Sequence, residues 1–561
     1  MRRILCLFFL IALIPSISLA QVSATLPPSS QIYRIIDLFV SKGLIDDVIY
    51  GQRPYTRDEA ARIVRIAFEK FEAKEYCSIK SEFDKYIDDC AERDYLDKLF
   101  AYAKRELKEE LDKNYPLFSF NPLKKVSINF MIDTEEPRNV PGVNGQGSID
   151  AYIASFSNYQ ENSPYPYGAV NWFGFEHEMR ITPYFIIEAE DRFEAIFPRG
   201  TGEGLEGKFH VHRLYGATGW KNIRLEVGRD NLMWGQSEFG GLMISTNARP
   251  LDMIKLENPH PLKIPWIGHM KWTLFVSNLG PENTRKYPYF YGLKWSWKPY
   301  KLIEFGLSET IITGGEGAPK LKWWEPITEM FPFQKWGGNN IGATDISNHE
   351  FGFFDLRVTI PPLRGAQIYY DMMIEDSIVR AFRLPDNFLR QVAFVTGIYF
   401  PSLNRRGDLG LRLEYHHIPP VAYRHGNWTS GYTLNRRVIG DALGPTADGI
   451  YAKLYWWPTM KMLTDLEIAF ERFDSSLFRT ETDPVTGGGD RIVKDVDGPK
   501  EYRFRIVSGL EFPISKRLDF KTKLGYEFIG NFNFNVGRDV NNVLFSAGLS
   551  LKFPEFEITK R

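Results

Sequence analysis

From about Val126 to Phe553 the chain repeats one pattern, in which large apolar residues alternate with charged ones at a period of two. Phe175, Met179 and Ile181 alternate with Glu176, Glu178 and Arg180, and Leu293, Trp295 and Trp297 alternate with Lys294, Ser296 and Lys298. Leu356, Val358 and Ile360 alternate with Asp355, Arg357 and Thr359, and the same holds around Leu411–Tyr415, Leu466–Phe470, Tyr502–Ile506 and Val543–Phe553. A period of two sends successive side chains to opposite faces of a strand. Here one face carries charges of both signs, strand after strand, and the other carries large rings. In a soluble sandwich the apolar faces would have to meet in a core. In a closed barrel they face lipid while the charges pair across a wet lumen. Aromatic clusters such as Trp297 to Tyr300, Trp323-Trp324 and Tyr455 to Trp457 suit the level of lipid headgroups. The expected fold class is an all-β transmembrane antiparallel β-barrel, and roughly 430 residues of strand, turn and loop fit about 16 to 18 strands.

The N-terminus points to export. Arg2 and Arg3 precede an apolar stretch from Ile4 to about Ile14, and Ser18-Leu19-Ala20 places small residues where a signal peptidase reads. The stretch falls short of the ~20 residues a spanning helix needs. Residues 1–20 are therefore read as a cleaved signal peptide and the destination as the bacterial outer membrane. Residues 21–115 read as a small α-helical periplasmic segment, and 116–561 as the barrel. In the first helix Ile32, Ile35, Ile36, Phe39 and Val40 share a face, stopped by Lys42-Gly43. Thr56 and Glu59 form a capping-box pattern ahead of a second helix. A third, charged helix runs from about Ser81 to Leu111, ended by Pro116. With Cys6 removed in the signal, Cys77 and Cys90 remain, and an oxidising compartment permits a bridge between them. Lysine plus arginine number 69 against 70 acidic residues, so the basic excess of a nucleic-acid binder is missing.

No catalytic signature stands out. Gly-x-Ser-x-Gly and His-Glu-x-x-His are absent, and Gly487-Gly488-Gly489 is followed by Asp490 rather than a phosphate-loop lysine. The expectation is a non-enzyme without cofactor or metal; His210 and His212 share a strand face but have no third ligand nearby. Long segments rich in Gly, Pro and Asn read as extracellular loops: Pro137–Gly147, Gly314–Asn348, Tyr423–Asp448 and Asp483–Pro499. The Trp-rich Gly314–Asn348 stretch is the longest candidate for an inward fold. Short turns such as Lys298-Pro299 and Pro361-Pro362 read as periplasmic. Sugars offer C–H faces to rings and hydroxyls to polar groups, which makes Trp323, Trp324, Trp336, Asn339, Asn340 and Trp428 candidate glycan contacts. The alternative is that these rings are interfacial anchors or loop packing. Gly228–Pro250 suggests a tight inward fold, with Arg229, Asp230 and Asn247 hydrogen-bonding in the lumen and Arg249 pairing with a lumen carboxylate.

Some of these residues also carry a resemblance. Gly228-Arg229-Asp230, Trp234-Gly235 and Ser245-Thr246-Asn247-Ala248-Arg249-Pro250 resemble the Wzi capsule-assembly family. So do Asp355-Leu356-Arg357 through Pro361 to Tyr369 with Glu375-Asp376, and the closing run Gly525-Tyr526-Glu527 to Asn531, Gly537-Arg538-Asp539 and Asn541-Asn542. The similarity spans most of Leu123 to Phe553. It implies an outer-membrane barrel that acts as a lectin for surface polysaccharide. Leu38, Gly43, Tyr50-Gly51, Pro54 and Thr56-Arg57-Asp58-Glu59-Ala60 resemble a single S-layer homology repeat. That implies a cell-wall polymer as a partner, although wall anchoring in that family usually uses three repeats. The alternative is a helical hairpin docked under the barrel. The function expected is a noncatalytic barrel, partnered by outer-membrane lipid, that binds or organises extracellular or capsular polysaccharide. A passive porin, motivated by the charged lumen, and a tether between outer membrane and cell wall are the other readings.

Overall fold

The computed structural model describes residues 22–73, 83–112, 118–158, 168–181, 184–198, 204–318, 349–375, 385–426, 428–459, 462–482 and 491–553. The signal peptide and Cys77 fall outside these, as do Trp323, Trp324, Trp336, Asn339 and Asn340; the Cys90 side chain is likewise not described.

Eighteen strands close into one antiparallel barrel. They are β1 (Phe118–Asp133), β2 (Gly168–Ile181), β3 (Phe185–Pro198), β4 (Glu206–Trp220), β5 (Ile223–Asp230) and β6 (Leu251–Glu257). Then come β7 (Gly268–Asn278), β8 (Tyr289–Tyr300), β9 (Ile303–Thr313), β10 (His349–Ile360), β11 (Ala366–Glu375) and β12 (Val392–Phe400). The last six are β13 (Leu409–Ile418), β14 (Ala447–Thr459), β15 (Met462–Asp474), β16 (Lys500–Pro513), β17 (Leu518–Gly530) and β18 (Val540–Lys552). Each pairs with the next, and β18 returns to β1 with Val126 opposite Leu551 and Ile132 opposite Phe545. Closure leaves no wall edge unpaired, which a barrel in hydrocarbon requires.

The alternation read in the sequence sorts the two faces. Ile128, Leu307, Ile368, Leu413, Ile450, Ile468, Phe504, Leu524 and Leu549 are exposed on the outside. Their inward neighbours are buried ions: Lys294 Nζ of β8 lies 2.6 Å from Asp355 of β10, across the intervening β9, and Arg503 lies 2.7 Å from Glu135 and 2.8 Å from Glu501. Charges so buried persist because each is paired and hydrogen-bonded.

The two ends differ. At one, residues 221–222, 301–302, 361–365 and 514–517 make short turns; at the other, longer loops such as 134–158, 231–250 and 419–446 begin. Pro361–Leu363 is a 3-10 turn as expected of that end, but Lys298 and Pro299 lie within β8, where the pairing slips between Trp297 and Tyr300, and the chain reverses after them. Exposed rings gird both rims: Tyr184, Trp220, Trp266, Trp297 and Tyr300 at the short-turn end, and Phe197, Phe209, Tyr287, Tyr289 and Tyr502 at the other.

Among the described residues four helices precede the wall: α1 (Ile32–Ser41), α2 (Arg57–Ala73), α3 (Phe83–Glu106) and α4 (Lys108–Asp112). Ile35, Ile36, Phe39, Ile63, Val64, Phe71, Leu96 and Phe100 make their common core, with Phe39 stacked on Phe100 at 4.2 Å. Burying each such side chain contributes about 1.5–3 kcal/mol. The core continues into Trp457 and Leu463 of the wall, so the helices dock at the short-turn end. Half of the capping box forms: the Glu59 N–H donates to Thr56 Oγ1 at 3.1 Å, while the Glu59 carboxylate turns to Arg62 and His260.

Candidate functional site: the filled lumen and the loop cap

A barrel of this size has room for water unless something occupies it. Here the chain itself does. Asp230 and Leu251 are direct partners at the ends of β5 and β6, and the residues between them turn inward. Trp234 is fully buried, edge-on to Phe275 at 5.4 Å, and its backbone N–H donates to Ile244 O at 3.0 Å. Gly241 permits this crossing, because a Cβ there would stand 2.3 Å from Trp234 O and 2.5 Å from Ile244 O. Gly235, at φ +116°, then hands its N–H to Gly51 O at 3.1 Å, joining the plug to the helical segment.

Gln236 sits where plug, wall and helical segment meet. Its backbone N–H donates to the Asp371 carboxylate at 2.9 Å, and its side-chain amide donates to Glu304 Oε1 at 3.0 Å. Arg357 donates to its Oε1 and its backbone oxygen, both at 2.6 Å, with the guanidinium held between the rings of Tyr50 and Tyr369. Glu304 in turn accepts the N–H groups of Tyr50 at 2.9 Å and Gly51 at 2.8 Å. One residue on, Ser237 Oγ donates to Glu414 at 2.6 Å, and His416 bridges Glu414 at 2.8 Å to Asp441 at 2.6 Å.

Asp441 belongs to the loop 419–446, which interlocks with the plug. The Ser245 N–H reaches Ile439 O at 2.9 Å, Asn247 Nδ2 reaches Val438 O at 2.9 Å, and Tyr423 OH reaches Leu242 O at 2.7 Å. The loop 134–158 joins from the far side: Ser148 and His425 exchange both backbone hydrogen bonds at 3.1 Å, and the Asp150 N–H donates to Ser430 O at 3.1 Å. Val140, Ile149, Ile153, Leu242, Met243, Ile244, Tyr423, Tyr432 and Ile439 from these loops form one apolar cluster with inward wall residues such as Phe275 and Phe351.

The expected lumen residues separate. Asp230 is fully buried and accepts from Thr25 Oγ1 at 2.9 Å and Arg213 at 3.3 Å. Asn247 lies in the plug. Arg229 instead has the parity of Leu225 and Val227, which are exposed, and so belongs to the outer side of the wall. There it grips Asp252 with two hydrogen bonds, at 2.8 and 3.0 Å, and Arg249 joins the same carboxylate at 2.9 Å. Strict alternation after Gly228 requires this, against the lumen placement expected of Arg229 and the lumen carboxylate expected for Arg249.

Trp428 is only 5% exposed and packs within the apolar cluster, while one side of it meets a cleft also lined by Leu279, Asn283, Arg285, Ile312 and Ser430. Its N–H donates to His425 Nδ1 at 3.1 Å. His210 stands 3.6 Å from Glu194, and among the described residues no group of three or more His, Cys, Asp and Glu is placed to hold a metal. Gln236, Glu304, Arg285 and Asn283 had no sequence signal beyond the inward parity of Glu304.

These features define a class: a transmembrane barrel of the outer membrane whose lumen is occupied by its own loops and whose short-turn mouth carries docked helices. The chain belongs to the family of the capsule assembly protein Wzi, whose family model matches residues 144–544. A solved structure of Wzi from Escherichia coli is similar over 95% of this chain and 100% of that one, with a TM-score of 0.62 at 15% identity. That protein is described as an outer-membrane protein involved in group 1 capsule assembly and as a carbohydrate-binding β-barrel. An uncharacterized 55.8 kDa protein of the cps region of Klebsiella pneumoniae is 22% identical over 175 residues, 30% of this chain. This chain's match spans about a third (33%) of that relative's length. The helical segment lies outside the span of the family match.

Proposed function

We propose that this chain binds or organises capsular or other extracellular polysaccharide at the cell surface, without catalysis. The interlock of residues 231–250 with 419–446 carries the reading. It fills the space a solute would cross and holds the loops at the long-loop mouth in one fixed arrangement. Membership of the capsule-assembly family and the likeness to a carbohydrate-binding barrel support it. A glycan array with detergent-solubilised protein, and surface polysaccharide retention in a deletion strain, test it. No glycan binding together with unchanged surface polysaccharide would overturn it.

The S-layer resemblance makes cell-wall polymer a second ligand to test. Tyr50, Gly51 and Thr56 of that motif are spent on docking and capping, which leaves the exposed Glu69, Lys70 and Glu72 of α2 as the available face. Pull-down of the full chain with purified sacculi decides between a wall ligand and a purely structural helical base.

A further inference from the structure

We propose that the short-turn rim of the barrel is a collar that selects phospholipids of net negative charge, such as phosphatidylglycerol, from the leaflet it meets. The inference concerns the membrane around the wall and stands apart from the polysaccharide reading.

Each connection at this rim that is described in full carries a lysine or arginine. Lys221 follows β4, Lys263 lies between β6 and β7, Lys301 follows β8, Arg364 follows β10, Arg405 and Arg406 follow β12, and Lys516 and Arg517 follow β16. The one carboxylate in these connections is Asp408, which Arg406 holds at 2.9 Å. Lys221, Lys263, Lys301, Arg364, Lys516 and Arg517 form no ion pair among the described residues, and all but the half-buried Lys221 are exposed. The long-loop rim differs. There exposed cations are held by carboxylates: Arg436 by Asp150 at 2.9 Å, Arg538 by Glu136 at 3.3 Å and Lys494 by Asp497 at 2.9 Å.

Each free cation has an exposed apolar companion close by in the chain. Trp220 precedes Lys221, whose Nζ lies 4.3 Å from the ring centroid. Trp266 and Ile267 follow Lys263, Tyr300 precedes Lys301, Leu363 precedes Arg364, and Ile514 comes just before Lys516. The apolar member rests at the boundary of acyl chains and headgroups, and the stem of the cation reaches past it to the level of the phosphates. Lysine meets a phosphate as a point charge and arginine as a fork. A zwitterionic lipid brings its own ammonium to neutralise that phosphate, whereas a lipid of net negative charge leaves it for the protein. The cations follow the rim from the end of β4 round to the end of β16. That distribution matches an annulus of lipid surrounding the wall, where a docked protein would need them gathered on one side.

The test offers the full chain an equimolar mixture of phosphatidylglycerol and phosphatidylcholine with the same acyl chains, and counts the lipids it retains by native mass spectrometry. Wild type should retain phosphatidylglycerol over phosphatidylcholine by about fivefold, the worth of one cation near an anionic headgroup, and the ratio should fall towards one in high salt. Combining Lys221→Gln, Lys263→Gln, Lys301→Gln, Arg364→Gln, Lys516→Gln and Arg517→Gln should bring the ratio to about one at low salt. If that chain lacks the heat-modifiable migration of a folded barrel, the first three and the last three substitutions are tested as separate variants, each of which should lower the ratio. Arg436→Gln with Arg538→Gln, at the opposite rim, should leave it unchanged. Equal retention of the two lipids by wild type, or a ratio that survives in folded variants of the short-turn rim, overturns the collar. A ratio lost only in the Arg436 and Arg538 variant places the lipid at the other rim and overturns it as well.

Discussion

His260, in the turn after β6, holds its imidazole between two carboxylates of α2, with Nε2 2.9 Å from Asp58 and Nδ1 2.7 Å from Glu59. This contact joins the helical segment to the barrel rim. Burial alone would pull the imidazolium down, but the hydrogen bonds to Asp58 and Glu59 outweigh it and hold the pKa at about 9. Burial likewise pushes Glu59 up, yet Arg62 and His260 hold it at about 2. The stabilisation from His260 is therefore complete below about 6.5 and lost as pH rises through about 9. That from Glu59 is complete above about 4.5 and lost as pH falls through about 2. Hydrogen exchange in α2 should accelerate between pH 6.5 and 9, and His260→Gln should flatten that rise. An unchanged profile in the variant would remove His260 from the docking.

Glu304 accepts two backbone N–H groups of the helical segment and the Gln236 amide at once. Glu304→Leu leaves those donors buried without an acceptor, at about 1–3 kcal/mol each before relaxation. Limited proteolysis should cut residues 42–56 faster in the variant, while the eighteen-strand wall keeps its heat-modifiable migration. Equal cleavage of variant and wild type would mean that the helices are held by their apolar core alone.

The filled lumen predicts electrical silence. Wild-type protein in a planar bilayer should carry no large steady current. Replacing 234–246 with a short Gly-Ser linker removes Trp234, Gln236 and Ser237 from the crossing, and steps of current should appear. A steady open current from wild type would favour a porin instead.

Leu307 is 60% exposed at the centre of β9, facing outward. Leu307→Arg should lower the stability of the barrel in lipid vesicles by about 2–4 kcal/mol, read by denaturant titration. Trp234→Ala, inside the plug, should be destabilising by about 3–5 kcal/mol for a different reason, the cavity left beside Phe275.

The wall was legible because its period is local. Leu293-Lys294-Trp295 states which side each residue takes, and inward-facing Lys294 of β8 duly meets Asp355 of β10, two strands along the wall. The apolar face of the first helix, Ile32 to Val40, was legible on the same ground. What fills the lumen was not, because an inward loop obeys no period: the Trp-rich 314–348 stretch looked the better candidate, yet 231–250, 134–158 and 419–446 are the loops seen inside. Residues 319–348 lie outside the described chain. Arg229 was misread because its Gly-Arg-Asp context suggested a turn, whereas β5 continues through it to Asp230. Trp428 shows the limit for the site: its ring type suggested sugar contact, but how little of the ring is uncovered follows only from contacts with residues far away in the chain.

With its middle occupied from Gly51 through Gln236 to Asp441, this molecule is closer to a rivet than to a pipe. If the bilayer recordings are silent, added copies of the barrel leave the envelope no leakier to small solutes, and abundance and permeability are free to vary independently.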